Sequence, residues 1–83
     1  MYIAKCITKM IDNGQSDIYY LYKNGRIATY CEKKQAYKTE QGATASMRKW
    51  VDMLIATGHA EKIADNVILE HGKYINTFSI VEI

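Results

Sequence analysis

Eighty-three residues make one domain, 1–83, with a thin core, since a chain this short buries only a little over ~60% of the surface its unfolded form exposes. A hydrophobic share of 48% against 24% charged excludes a disordered chain, the lack of proline excludes polyproline ligands and rigid proline linkers, and no apolar run nears the ~20 residues that cross a bilayer. The formal net charge of +2 selects no partner by itself.

The chain opens Met1-Tyr2-Ile3-Ala4-Lys5, without the basic start and apolar stretch of a signal peptide, so a cytoplasmic location is expected. Tyr2 to Ile11 is rich in β-branched and aromatic residues and reads as a strand. Its odd positions carry Lys5 and Lys9, which favours the even face, Tyr2, Ala4, Cys6, Thr8 and Met10, as the inner one. Asp12-Asn13-Gly14-Gln15-Ser16 is turn chemistry. Ile18 to Lys23 and Arg26 to Cys31 then flank Asn24-Gly25, the pair preferred in two-residue type I′ hairpins. That turn sets Tyr22 opposite Ile27, Leu21 opposite Ala28 and Tyr20 opposite Thr29. Lys23 and Arg26 mark one face as wet, so Ile18, Tyr20, Tyr22, Ile27 and Cys31 are expected inward. Tyr19, Leu21, Ala28 and Tyr30 are expected on the open face.

Glu32 to Lys38 is a basic connection, and residues 23–38 hold Lys23, Arg26, Lys33, Lys34 and Lys38 against Glu32 alone. Thr39 is placed to cap a helix over 40–57, in which Ala43, Met47, Trp50, Val51, Leu54 and Ile55 recur at spacings of three and four and Gly58 closes the end. His59 to Asp65 reads as a short second helical turn. Val67 to Glu70 and Tyr74 to Ile83 read as a hairpin around His71-Gly72-Lys73. The expected architecture is α+β: an antiparallel sheet in the order β-β-β-α-β-β with one main amphipathic helix on one face. In the three-strand meander Cys6 and Cys31 lie two strand spacings apart, about 9.5 Å, beyond the reach of a disulfide. Both are expected to be free thiols.

The chemistry of catalysis is sparse. His59 and His71 belong to no HExxH or Cys/His zinc spacing, so no metal site is expected, and the five glycines are too dispersed for a phosphate cradle. A pairing of either histidine with Glu61 or Glu70 is the one acid–base arrangement the residues allow. No enzyme and no cofactor are expected. The notable feature is tyrosine, seven in all, with Tyr19, Tyr20, Tyr22 and Tyr30 on one hairpin. One helix covers one sheet face, so tyrosines should remain on the other, and tyrosine is a favoured interface residue. The candidate binding surface is Tyr19, Leu21, Lys23, Arg26 and Tyr30, rimmed by Lys33, Lys34 and Lys38. A protein is the expected partner, foreign or a second copy in a homodimer. The alternative is a small sheet-based nucleic-acid binder, with tyrosines stacking on bases and the basic patch on phosphates.

In general organisation the chain resembles small phage-encoded inhibitors of host defences, the anti-CRISPR proteins among them. The likeness lies in the opening strand Met1-Tyr2-Ile3-Ala4-Lys5, the hairpin Tyr22-Lys23-Asn24-Gly25-Arg26-Ile27 and the run Tyr37-Lys38-Thr39-Glu40-Gln41-Gly42-Ala43 before the helix. The resemblance implies a cofactor-free inhibitor that occupies a surface of a host nuclease or surveillance complex. It assigns no role to any residue, and the positive charge sets this chain apart from acidic DNA mimics.

Overall fold

The computed structural model describes residues 1–83. Six strands form one antiparallel sheet: β1 Tyr2–Met10, β2 Ser16–Leu21, β3 Ile27–Ala28, β4 Ala60–Ala64, β5 Val67–Glu70 and β6 Tyr74–Glu82. Their spatial order is β3-β2-β1-β6-β5-β4, and one helix, α1 Glu40–Ala56, lies on one face. The fold is α+β, with a meander, a helix and a second group of strands. The sheet is joined at its middle by the two most distant segments of the chain, β1 and β6, which pair from Tyr2↔Glu82 to Met10↔Tyr74. No helix is long and apolar enough to cross a membrane.

Helix α1 begins where the side-chain hydroxyl of Thr39 accepts the Gly42 N–H at 3.1 Å. Gly58, at φ +78°, follows its end in the left-handed conformation that glycine adopts without strain. Its apolar stripe puts Met47 and Leu54 against Ala4, Leu21, Ile68 and Phe78, which together form the main core. The even face of β1 is indeed the helix side. Trp50 and Val51 are only half-buried and Ile55 is exposed, so the stripe is covered along one line rather than across its width.

Residues 59–65 are not a helical turn. Ala60–Ala64 is strand β4, which pairs with β5 through Ala60↔Glu70, Glu61↔Leu69 and Lys62↔Ile68. Asn66, at φ 58°, makes the tight return. The segment is short and contains Ala, Glu and Lys, all good helix formers, and ladder pairing overrides that preference.

The first hairpin is formed, but its register differs from the expected one by a residue. Tyr20 faces Ala28 and Leu21 faces Ile27. The Tyr22 N–H donates to the Arg26 carbonyl at 2.8 Å, leaving Lys23-Asn24-Gly25 as a three-residue loop. Gly25 takes φ +88°, and the Asn24 side-chain oxygen accepts the Arg26 N–H at 2.9 Å. Asn-Gly therefore turns the chain with one residue more than a type I′ turn uses. A slip of one moves every later side chain to the opposite face. The face assignment is corrected on both sides of the loop: pairing with β1 puts Leu21, expected on the open face, opposite Ala4 in the core at 6% exposure and leaves Ile18 exposed, and beyond the loop Ile27 and Cys31, expected inward, are exposed as well.

The far face of the sheet is not left bare. Residues 29–37 fold back across its end and bury Ile3, Tyr22 and Ala36 as a second small core, with Tyr20, Ala28, Val81 and Ile83 at its edge. Tyr22 Oη donates to the Tyr30 carbonyl at 2.7 Å, and Tyr2 and Tyr37 exchange backbone bonds of 2.7 Å each. The connection read as a basic loop thus does for the far face what the helix does for the near one. Both cysteines are free.

Candidate functional site

Strand registers arrange the helix-side face in rows. Tyr19, Cys6 and Phe78 make one row; Asp17, Thr8, Asn76, Ile68 and Lys62 make the next; Met10, Tyr74, Glu70 and Ala60 make the third. Helix α1 packs on β1, β4 and β6 and leaves the part of these rows towards β2 uncovered. What remains is an open groove of about 400 Å³, its floor made by the strands and one wall by Trp50 and Leu54 of the helix. Tyr19, Tyr74, Phe78, Met10 and Ile27 give it an aromatic and apolar lining.

Its floor carries one connected polar chain. Asn76 is only 4% exposed. Its side-chain oxygen accepts from Thr8 Oγ1 at 2.6 Å, and its Nδ2 donates to Glu70 Oε1 at 2.9 Å. The Cys6 sulfur lies 3.6 Å from Thr8 Oγ1. Burial pushes the Cys6 thiol above its ordinary value and the negative charge of Glu70 adds to this, against the opposing effect of the Thr8 hydroxyl. The thiol therefore stays protonated at neutral pH, the unreactive form. No group of three His, Cys, Asp or Glu side chains is gathered for a metal.

The two histidines come together, with ring centroids 5.2 Å apart, and the His71 N–H donates to the His59 carbonyl at 3.0 Å. Neither makes an ion pair with Glu61 or Glu70, so the acid–base pairing weighed from the sequence is not assembled.

The surface expected from the hairpin is divided. Leu21 is removed from it by burial. Tyr19, Arg26, Tyr30 and Lys34 meet around a recess at the short edge strand β3, which Tyr22 and Glu32 also line. Tyr30 is 60% exposed, and its ring meets Tyr22 edge-on at 6.2 Å. Lys23 points elsewhere, with its Nζ 5.8 Å from the Tyr37 ring centroid. Lys33, Lys34 and Lys38 are exposed around the 3₁₀ turn Lys33–Gln35, with Lys34 3.8 Å from Glu32. Tyr19 and Ile27 belong to both the edge recess and the groove.

Of the residues that build the groove floor, Thr8, Asp17, Tyr74 and Asn76 carry no sequence pattern that marks a site, and Glu70 is marked only as a possible partner of a histidine. The available signal was Asn76 itself, a polar residue at an inward position between Tyr74 and Phe78 of an alternating strand. Compared with protein-family models, curated proteins and solved structures, the chain matches none of them.

Proposed function

We propose that this chain is a non-enzymatic binding protein, acting in the cytoplasm, whose partner is another protein received on the half-covered helix side of the sheet. The observation that carries this reading is the groove itself. It is an aromatic-walled recess on the sheet, continuous through Tyr19 and Ile27 with the exposed Arg26–Tyr30 edge. Aromatic anchors around a recess, with charged residues at the rim, are the composition of interface hot spots. The absence of catalysis is supported by how the floor groups are engaged. Thr8 and Asn76 are bonded to each other, and Cys6 is held as the thiol. The inhibitor mode implied by the resemblance to phage-encoded proteins, occupation of a host nuclease or surveillance complex, is one form of this activity and needs no cofactor.

The test is capture of partners from host lysate, with and without nuclease, by the wild type and by a Tyr19→Ala/Tyr74→Ala variant of unchanged circular dichroism. Protein capture that survives nuclease and is lost in the variant supports the reading. Capture abolished by nuclease, together with a steep fall in affinity with salt, marks the nucleic-acid alternative instead.

A further inference from the structure

The charge of the groove runs against that of the molecule. The chain carries 11 basic and 9 acidic residues, yet the groove is lined by two carboxylates, Asp17 and Glu70, and by no lysine, arginine or histidine. The two ion pairs of the protein, Lys34–Glu32 and Lys62–Asp65, leave both of these carboxylates without a cation. Glu70 is half-buried and fixed through Oε1 by the Asn76 amide, which leaves its second oxygen to an incoming donor. Asp17 is exposed on β2, across β1 and β6 from Glu70, and so extends the negative field towards the open side. The aromatic side chains of Tyr19, Trp50 and Tyr74 line the same groove. Aromatic rings beside a carboxylate favour a cation with an apolar stem, because the ring faces attract positive charge and the rings cover the methylene groups.

We infer that the groove receives a basic side chain, arginine or lysine, of the protein partner, with its head at Glu70 and its stem along the aromatic wall. This rests on the protein-binding reading and specifies what that partner must present. An open groove of about 400 Å³ suits one long side chain whose backbone stays outside, whereas a free small ligand usually sits in a site that encloses most of its surface. A bound guanidinium or ammonium ion restores to Glu70 the counter-charge that the protein itself does not supply, in a partly water-excluded place where charged hydrogen bonds are strong.

The sole tryptophan of the chain, Trp50, stands in the groove wall and reports on its occupancy. The probes are the blocked tripeptides Gly-Arg-Gly, Gly-Lys-Gly and Gly-citrulline-Gly, titrated against the whole protein by Trp50 fluorescence and by amide shifts of Cys6, Thr8 and Asn76. The arginine and lysine peptides are expected to bind in the millimolar range, and the neutral citrulline isostere at least about tenfold more weakly. Glu70→Gln keeps an acceptor for Asn76 and should remove most of this preference, while the exposed Asp17→Asn should weaken it less and cannot disturb the core. Equal binding of the arginine and citrulline peptides, or shifts confined to residues outside the groove, overturns the inference. Because no partner protein is present, that outcome leaves the capture experiment to decide the broader reading independently.

Discussion

Asn76 is held at both ends of its amide, by the Thr8 hydroxyl and by the Glu70 carboxylate, and this permits a polar side chain at 4% exposure inside a thin core. Cys6 lies beside this chain of groups, with its sulfur 3.6 Å from Thr8 Oγ1. Its folded-state thiol ionises above the ordinary 9.0, chiefly through burial. The unfolded chain therefore loses this proton first as pH rises. The contribution of Cys6 to stability is complete below pH 9.0 and declines as pH rises from there through the folded value. Urea midpoints should fall on the alkaline side of that pH, and Cys6→Ala should remove part of the fall. At neutral pH iodoacetamide should label the exposed Cys31 well before Cys6, as mass spectrometry of tryptic peptides would read.

Strand pairing and helix placement explain why the tyrosine-rich hairpin presents fewer rings than its sequence suggests. Because the loop takes three residues, Leu21 and Ile27 share the helix side, but the helix reaches only the first of them. Leu21 is 6% exposed and Ile27 is 48% exposed. Leu21→Ala should cost about 2–5 kcal/mol, the range for a buried leucine. Ile27→Ala, at a short and open edge strand, should cost well under that, about 1 kcal/mol or less. Urea denaturation of the two variants distinguishes this arrangement from the one expected from the sequence, in which Ile27 is the inward residue and Leu21 the open one. Tyr22 shares its face with Ala28 and is covered by the 29–37 segment rather than by the helix.

In the molecule as a whole, the central ladder joins the first strand to the last, so the most protected structure is also the most distant in sequence. β1 and β6 are flanked by strands on both sides, whereas β3 has two residues and β4 is exposed along most of its length. Amide hydrogen exchange should accordingly be slowest in Ala4–Cys6 and Phe78–Ile80, and fast in Ile27–Ala28 and Glu61–Ala64. Comparable protection in the edge strands would mean that a partner or a second copy covers them in solution. The groove is likewise a property of the whole. Its floor comes from β1, β2, β5 and β6 and its wall from α1, so no single stretch of sequence contains it.

Local order was legible wherever one residue type has one backbone use. Thr39 as cap, Gly58 as stop, the 3–4 spacing of Ala43, Met47 and Leu54, and the strand-rich ends of the chain all read directly as α+β. Three things needed the tertiary structure: the three-residue loop, which Asn-Gly tolerates as well as the two-residue one; the strand Ala60–Ala64, whose own preference is helical; and which face of the β2–β3 hairpin meets the helix. Each depends on free energy gained only when segments far apart in the chain meet, through ladder hydrogen bonds or shared burial. A pattern of neighbouring residues does not contain that term.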